Sequence, residues 1–203
     1  MKQLFVNTPK LTDPISGLIV SLLLIIFGAE TAQAQSAGMG VIEGTGVIVD
    51  VVDGDTARVQ MYSSYPVEAA KLQAQKAERR YQRNYDLARI YQLNGPTTAT
   101  MLIRVANIDT AESVHPDAHK NSQAGRKASD YASTAFSGER VDVACYDVGY
   151  YGRPICDIQS QGGDWAEVMI KAGYTKYETE YGRHPVPFRH KRLVNAQENA
   201  FKN

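Results

Sequence analysis

Two runs rich in valine and isoleucine, separated by a short turn signal, constrain the fold of this chain most strongly. The runs are Thr45 to Asp53 and Thr56 to Met61, and Asp53-Gly54-Asp55 divides them. Stretches of both runs alternate between apolar and polar residues, which is the period of a β-strand half buried in a sheet. The pattern therefore predicts a strand, a tight turn and a second strand.

Three later runs have the same strand-like composition. They are Thr97 to Ile108, Arg140 to Asp147 and Pro154 to Ile158. Together with the first two runs they give about five strands, which is the size of a small barrel or sandwich.

Helical periodicity lies between and after these runs. Ser122 to Phe136 places alanines on one helical face. Asp164 to Ala172 has an aspartate to cap its first turn and Gly173 to end it. A further helix is predicted from about Phe188 to the C-terminus. Strands and helices together predict an α+β domain.

The segment from Pro66 to Leu93 differs from its surroundings, because apolar residues recur there at three- and four-residue steps. It is bounded by Pro66 and by Asn94-Gly95-Pro96, so one long amphipathic helix is predicted. Since it interrupts two strand runs, it is interpreted as an insertion, over about residues 64–96, into a single domain.

Basic residues outnumber acidic ones along this predicted helix. They are Lys71, Lys76, Arg79, Arg80, Arg83 and Arg89, against Glu68, Glu78 and Asp86. Three interpretations stay open. The apolar stripe packs on the barrel or on a protein partner, for instance in an envelope assembly; the basic face lies along nucleic acid; or that face is simply solvated.

The first 34 residues have the pattern of a secretory signal peptide. Lys2 and Lys10 precede an apolar run from Ile15 to Phe27, and Ala32-Gln33-Ala34 offers small residues for cleavage near Ala34. The apolar run is shorter than the roughly 20 residues that span a bilayer, which disfavours the alternative of an uncleaved anchor. A mature domain over residues 35–203 is therefore expected in the periplasm or outside the cell, with no stable membrane span.

Charge and cysteine content add two constraints. Lysine plus arginine equals aspartate plus glutamate, at 22 each, so the overall field does not attract a polyanion and any phosphate recognition must be local.

Cys145 and Cys156 lie in two strand-like runs that could pair as a hairpin. The pattern leaves open a disulfide, which export would permit, or two small buried thiols.

Two short segments combine carboxylates with arginine. One is Asp53-Gly54-Asp55-Thr56, and the other runs from Arg104 to Ser113. Carboxylates at strand ends suit an oxygen-ligated ion such as Ca²⁺, a guanidinium binds phosphate through two hydrogen bonds, and a further carboxylate can position or deprotonate water. Each signal alone has an ordinary structural explanation, but together they would suit phosphodiester cleavage.

The spacing of these motifs resembles the staphylococcal nuclease, or thermonuclease, family. The matching residues are Gly46 to Thr56, read as G-x-V-x-x-V-x-D-G-D-T, then Ile103-Arg104, Ile108-Asp109-Thr110 with Glu112, and Tyr151-Gly152-Arg153. The resemblance covers about residues 44 to 200 except the inserted segment. It implies a five-stranded OB-fold β-barrel with three helices, here carrying the long inserted helix.

The resemblance also implies a role for each matching residue. Asp55 and Asp109 would give Ca²⁺ its carboxylates and Thr110 its backbone carbonyl. The general base, or the group that orients the attacking water, would be Glu112. Arg104 and Arg153 would hold the phosphate. Asp53, beside the ligand turn, is expected to support the turn or the neighbouring ligands rather than to bind the ion. Tyr181, or Tyr177 in its place, would contact the 5′-phosphate of the nucleotide; the alternative is that either ring is only a core or surface residue.

Two departures from the family pattern accompany these assignments. Ala111 stands where the family usually has proline, which loosens the loop before Glu112, and the chain ends without the usual tryptophan-containing tail. The function implied is a Ca²⁺-dependent endonuclease acting on DNA, RNA or both, with 5′-hydroxyl and 3′-phosphate product ends. The alternative is a noncatalytic module that binds nucleic acid or an envelope complex, although such a module has no need of three carboxylates near phosphate.

Overall fold

The computed structural model describes residues 40–95, 98–114, 117, 119 and 121–202, so the predicted signal peptide lies outside the described residues. The strands are β1 (Ile42–Asp53), β2 (Thr56–Met61), β3 (Tyr91–Leu93), β4 (Ala99–Val105), β5 (Arg140–Val148), β6 (Pro154–Ser160) and β7 (Gly163–Asp164). The helices are α1 (Tyr65–Tyr81), α2 (Leu87–Ile90), α3 (Gln123–Phe136), α4 (Trp165–Lys171) and α5 (Pro187–Ala200).

Five strands close into a barrel in the order β4, β2, β1, β5, β6, and then back to β4. The closing contact is parallel and pairs Arg104 with Ile155 and Val105 with Cys156. The other pairings around the barrel are antiparallel. This closed barrel with its helices confirms the predicted α+β class and OB-type fold.

The barrel interior is filled by side chains that the strand alternation points inward. Completely or almost completely buried examples are Ile48, Met61, Met101, Ile103 and Ile158. Each such side chain contributes about 1.5–3 kcal/mol relative to an exposed position. The sequence runs predicted as strands therefore build the core as well as the sheet.

Helices α3 and α4 close one side of this core. Phe136 of α3 stacks on Trp165 of α4 with ring centroids 4.3 Å apart. The indole of Trp165 then donates a hydrogen bond of 2.9 Å to the carbonyl of Gly54, in the turn between β1 and β2. Both helices begin at side-chain caps, with Ser122 before α3 and Asp164 before α4. Both predicted helices are confirmed, and they fix the turn from outside the barrel.

The prediction of one continuous helix as far as Leu93 was wrong. Helix α1 ends at Tyr81, because Gln82 adopts the left-handed conformation at φ 52°. Two backbone N–H groups beyond it turn back onto Glu78. Arg83 donates to its carbonyl at 3.0 Å and Tyr85 to its side chain at 2.7 Å. These bonds satisfy the helix end, and the chain continues as α2 and β3.

Tertiary pairing explains why the helical period fails after Tyr81. Tyr91 pairs with Met101 and Leu93 with Ala99, so β3 adds a short strand to the edge of β4. The Tyr91 side chain is buried. Pairing and burial thus override a local sequence pattern that favours helix. Two short strands, β3 and β7, accompany the five strands of the barrel.

The apolar stripe of α1 packs on the barrel. Its buried residues are Pro66, Val67, Ala70 and Ala74, and α1 contacts β1, β3 and β5. At the other end of the helix, Arg79, Arg80 and Tyr81 are exposed. Of the interpretations open at sequence level, the structure therefore assigns the apolar stripe to the barrel and leaves the basic end facing solvent.

The C-terminal helix α5 is attached through buried charge. Arg189 of α5 forms ion pairs with Asp157 of β6, at 2.7 Å, and with Asp164. Both carboxylates are buried, and the buried imidazole of His184 lies 3.0 Å from Asp157 as well. Removing one partner of a buried pair typically costs about 3–5 kcal/mol. These ion pairs therefore make the packing of α5 a contribution to the stability of the whole domain.

Cys145 and Cys156 form a disulfide. They are directly opposite residues of the antiparallel β5–β6 pair, as expected for a hairpin. The bridge therefore ties the two strands that flank the turn before Arg153. None of the helices in the described ranges is long and apolar enough to cross a membrane.

Candidate active site

Asp55 forms the buried centre of the candidate site, at the turn between β1 and β2. Its Oδ1 accepts a hydrogen bond from the hydroxyl of Thr56 at 2.9 Å and lies 3.0 Å from Nη1 of Arg104. Its Oδ2 accepts from the backbone N–H of Thr110 at 3.0 Å and from its hydroxyl at 3.2 Å. A carboxylate held by this many donors has one orientation.

Arg104 joins the carboxylates of two separate segments. It lies on β4, opposite Thr56 of β2, and its Nη2 contacts Asp109 while also donating to the carbonyl of Ile108 at 3.2 Å. Burial alone lowers the pKa of Arg104, but the charges of Asp55 and Asp109 outweigh burial and raise it above its ordinary value. Arg104 is therefore charged and fixed in place.

Arg153 is the second arginine that contacts this part of the site. It follows the turn between β5 and β6, and its Nη1 donates a hydrogen bond of 2.9 Å to the hydroxyl of Thr56. Burial and then the charge of neighbouring Arg104 lower the pKa of Arg153. Asp55 and Glu112 partly offset this effect, and a phosphate group bound by both guanidinium groups would further relieve their mutual repulsion.

Glu112 lies near both arginines. Its negative charge raises the pKa of Arg104 and of Arg153. The loop that carries it packs against α3 at Gly125, where an added Cβ would be 2.1 Å from the carbonyl oxygen of Glu112. The backbone N–H of Ser122 also donates to that carbonyl at 2.9 Å. The loop at Ala111 is thus held by helix α3 without the proline usual in the family.

Asp53 anchors the same loop from the barrel side. Its Oδ1 accepts hydrogen bonds from Ser113 Oγ at 2.9 Å, from Ser129 Oγ at 2.8 Å and from Gly54 N at 2.9 Å. Ser113 directly follows Glu112, and Ser129 belongs to α3. The buried Asp53 carboxylate therefore links the β1–β2 turn, the Glu112 loop and α3, so it supports both the turn and the loop that carries a site residue.

The segment after α4 is tied to the Asp109 loop. The hydroxyl of Thr175 donates to the carbonyl of Asp109 at 2.7 Å and accepts from its N–H at 3.2 Å. Asn107, at a left-handed φ of 57°, donates from its side chain to the carbonyls of Glu178 and Gly182. These bonds fix the loop from Thr175 to Gly182 beside the site.

The two candidate tyrosines of this loop lie in different surroundings. Tyr181 is 93% exposed and is free to contact a ligand. Tyr177 is buried, and its hydroxyl accepts from the N–H of His184 at 2.9 Å and lies 2.7 Å from Nδ1 of His190. The structure thus brings Asp55, Arg104, Asp109, Thr110 and Arg153 together, places Tyr181 on the adjoining surface, and assigns Tyr177 to the packing of α5.

The donor atoms suit a hard cation. Among the described residues, no group of three or more His, Cys, Asp and Glu side chains is arranged to hold a metal ion. Calcium sites, however, also draw on backbone carbonyls and water. Asp55 and Asp109 contact the same guanidinium of Arg104, so their carboxylates converge. Because Asp109 is largely exposed, at 66% of its side chain, its oxygens are accessible, and the residues present fit Ca²⁺.

Several supporting residues were not found by sequence reasoning. Thr56, Ser113, Ser129, Asn107 and Thr175 all hold groups of the candidate site through side-chain hydrogen bonds. Thr56 had a local signal, because it directly follows the Asp-Gly-Asp turn. The others come from distant segments, and their partners depend on tertiary contacts that a single sequence does not reveal.

Comparison with known proteins gives a family match over half of the chain. Residues 102–203 match the family described as staphylococcal nuclease homologue, a range that includes four of the assigned positions from Arg104 to Glu112 as well as Arg153. A curated relative from Capnoides sempervirens, described as an uncharacterized 38.1 kDa protein, is 29% identical over 157 residues. That alignment covers 66% of this chain and 44% of the relative, so the chain spans less than half of the relative's length.

Proposed function

This chain belongs to the family of staphylococcal nuclease homologues, and on that premise we propose that it is a Ca²⁺-dependent endonuclease acting on DNA, RNA or both. The observation that carries the proposal is the position of Arg104 between the carboxylates of Asp55 and Asp109. Arg153 is held nearby by its hydrogen bond to the hydroxyl of Thr56. Acidic and basic groups converge here as phosphodiester hydrolysis requires.

The two arginines would hold the phosphodiester. Each planar guanidinium can donate two parallel hydrogen bonds to phosphate oxygens. Thr56 orients Arg153, and Asp55 with Asp109 orients Arg104. Because these donors are fixed before substrate binds, they stabilise the charge that develops on the phosphorus oxygens without reorganising.

Glu112 would act on the attacking water. Its carboxylate lies near both arginines and therefore near the phosphate that they would bind. It accepts a proton from water, or orients that water, as the water oxygen bonds to phosphorus and the bond from phosphorus to the 5′ oxygen breaks. The leaving oxygen takes a proton, which gives a 5′-hydroxyl and a 3′-phosphate.

Asp55, Asp109 and the backbone carbonyl of Thr110 would hold Ca²⁺. When bound, the cation supplies positive charge for a phosphate oxygen. Without a cation, carboxylates beside a phosphate site repel the substrate, so their retention favours catalysis over binding alone. The expected dependence on metal is therefore strict.

One assay tests substrate, metal and activity together. Purified protein is incubated with single-stranded and double-stranded DNA and RNA, in Ca²⁺, in Mg²⁺ or with chelator, and product ends are identified by mass. Cleavage in Ca²⁺ that leaves 3′-phosphate ends, and is lost with chelator and in Glu112→Gln, is the expected result. Binding without cleavage under every condition would instead identify a noncatalytic module.

We also propose that the protein acts after export. The N-terminal signal pattern supports this location, and the Cys145–Cys156 disulfide suits an oxidising compartment. Fractionation of cells that produce the full chain, with the N-terminus of the product sequenced, tests the proposal. Recovery in the cytoplasm with an intact N-terminus would contradict it.

A further inference from the structure

An exposed surface of arginine and tyrosine lies where the end of α1 meets the β5–β6 turn. This surface, the strip, consists of Arg79, Arg80, Tyr81, Arg83 and Tyr150. The guanidinium of Arg83 lies 3.8 Å from the ring centroid of Tyr150 and 5.4 Å from that of Tyr81. Both rings remain more than half exposed, at 66% and 55%. The arginine holds both aromatic rings in place at the surface through cation–π contacts. Their exposed parts are therefore available to contact a ligand.

The strip is held in a fixed relation to Arg153. Arg83 Nη1 donates to the carbonyl of Tyr150 at 3.3 Å. Tyr150 is three residues before Arg153, so their Cα atoms are within about 11 Å of each other. Between them, Gly152 rests against Tyr85, where an added Cβ would lie 2.6 Å from the ring. A strand whose phosphate is bound by Arg153 would therefore have neighbouring nucleotides within reach of the strip.

Charge complementarity identifies the kind of ligand. The chain as a whole is neutral, yet residues 65–93 hold six basic residues against three acidic ones. Of those acids, Glu78 accepts the backbone N–H of Tyr85 at 2.7 Å. The exposed end of α1 is thus a local positive field beside a site already suited to phosphate. Arginines that alternate with exposed aromatic rings are typical of surfaces that bind single-stranded nucleic acid.

We propose that the strip binds single-stranded nucleic acid next to the cleavage site. Tyr81 and Tyr150 stack on unpaired bases, and Arg79 and Arg80 contact phosphates. The bases of a duplex are already stacked on one another, so the strip favours single-stranded over double-stranded substrate. This inference rests on the proposed function, because it assigns the strip to the substrate of the same site.

Three variants separate the strip from the chemistry. Arg79→Ser/Arg80→Ser removes two exposed charges, and Tyr81→Ser removes one exposed ring. Lys191→Ser/Lys202→Ser is the matched control, since it removes one exposed charge from α5 and another two residues beyond the end of that helix. All three sites lie on the surface, and circular dichroism with thermal melting checks that each variant folds.

Two measurements are made on each variant. Fluorescence anisotropy with chelator gives the affinity for a labelled single-stranded thymidine oligonucleotide, and steady-state cleavage compares this oligonucleotide with a thymidine dinucleotide. Each strip variant is expected to lower affinity for the oligonucleotide about fivefold or more. The KM for the oligonucleotide rises correspondingly, while kcat/KM for the dinucleotide stays unchanged. The arginine variant should also make the slope of log affinity against log salt concentration less steep. The expected change in slope is about 1.4, for the loss of two phosphate contacts.

The outcomes distinguish this inference from the proposed function. If the unmodified protein cleaves both substrates but the strip variants match the lysine control, the inference is overturned and catalysis stands. If nothing is cleaved yet the strip variants lose affinity, the strip is supported and catalysis is not. A separate sedimentation assay with phosphatidylglycerol vesicles tests a membrane surface as the ligand: strip variants that lose vesicle binding but keep oligonucleotide binding would overturn the inference.

Discussion

Tyr91 donates a hydrogen bond of 2.9 Å from its phenol to the carbonyl of Gly152, the residue immediately before Arg153. Tyr91 is buried at 2% exposure, and Tyr85 lies against the Cα of the same glycine. Both tyrosines come from the segment between β2 and β4. That segment therefore braces the turn that places Arg153, in addition to presenting the strip.

Gly152→Ala is expected to lower both stability and turnover. Gly152 has a positive φ of 84°, and a Cβ there would lie 2.6–2.9 Å from Tyr85 atoms. Gly138→Ala is a matched control, because Gly138 has φ 77° and open space around it. Backbone strain of about 1 kcal/mol is common to both variants. Urea unfolding gives the free energy of unfolding of each, and the additional loss in Gly152→Ala relative to Gly138→Ala measures the clash with Tyr85.

The same pair of variants tests whether the brace positions Arg153. Only Gly152→Ala should lower kcat for phosphodiester cleavage, by about tenfold or more, since a displacement near 1 Å can cost up to about a hundredfold. Equal kcat in the two alanine variants would show that the turn is not needed for placing the arginine.

Ser129→Ala is expected to lower kcat with little change in KM. It removes the hydrogen bond of 2.8 Å from α3 to Asp53, which also holds the residue after Glu112. Ser133→Ala is the control, because Ser133 lies one turn later on α3 and contacts only exposed Ser137 among the described hydrogen-bond partners of its side chain. We expect a kcat loss of about tenfold for Ser129→Ala and none for Ser133→Ala, measured at saturating substrate.

Arg104→Lys is expected to keep the fold and lose most of the activity. A lysine retains the charge beside buried Asp55, but its point charge cannot replace a planar fork that binds two phosphate oxygens. We expect kcat/KM to fall by about a hundredfold or more, with a small change in melting temperature. Arg104→Ala should also unfold more easily, because it leaves the Asp55 carboxylate buried without its cation. Near-normal cleavage by the lysine variant would refute the role of the guanidinium.

Loss of the Cys145–Cys156 disulfide is expected to lower stability. The bridge closes a short loop, with a sequence separation of 11 residues, and loop-closure entropy gives about 3 kcal/mol for this length. For a domain of this size that corresponds to about 6–12 °C in melting temperature. Melting of the unmodified protein with and without reductant, compared with Cys145→Ala/Cys156→Ala, measures the effect. If reductant also lowered the melting temperature of the double variant, which has no disulfide to reduce, the loss of stability in the unmodified protein would have another cause.

The sequence predicts those parts of the fold that local patterns determine. The turn at Asp53-Gly54-Asp55 and the strands beside it follow from period-two alternation, α3 follows from its face of alanines, and α4 follows from its capping residues. Alternation and capping are properties of neighbouring residues, so one sequence displays them. The same holds for Arg104 and Asp109, whose motif lies at a strand end.

Other parts depend on contacts between distant segments. The helical period of the Pro66 segment continues through Tyr91, but that residue leaves the helical pattern because it pairs with β4 and reaches Gly152. Ser129 looks like an ordinary helix-surface serine until α3 is placed beside Asp53. Tyr177 and Tyr181 have similar sequence surroundings, and only the packing of α5 buries one and exposes the other.

The ion pairs that attach α5 have a consequence for a chain broken after synthesis. Residues 179–183 are exposed, so a protease can reach them. Beyond the break, Arg189 still neutralises buried Asp157 and Asp164, and the two fragments should remain assembled. A shortened chain without α5 instead leaves both carboxylates buried with no counter-charge. We therefore expect the last helix to act as a complementing fragment, needed as a binding partner of the barrel but not as a covalent extension of it.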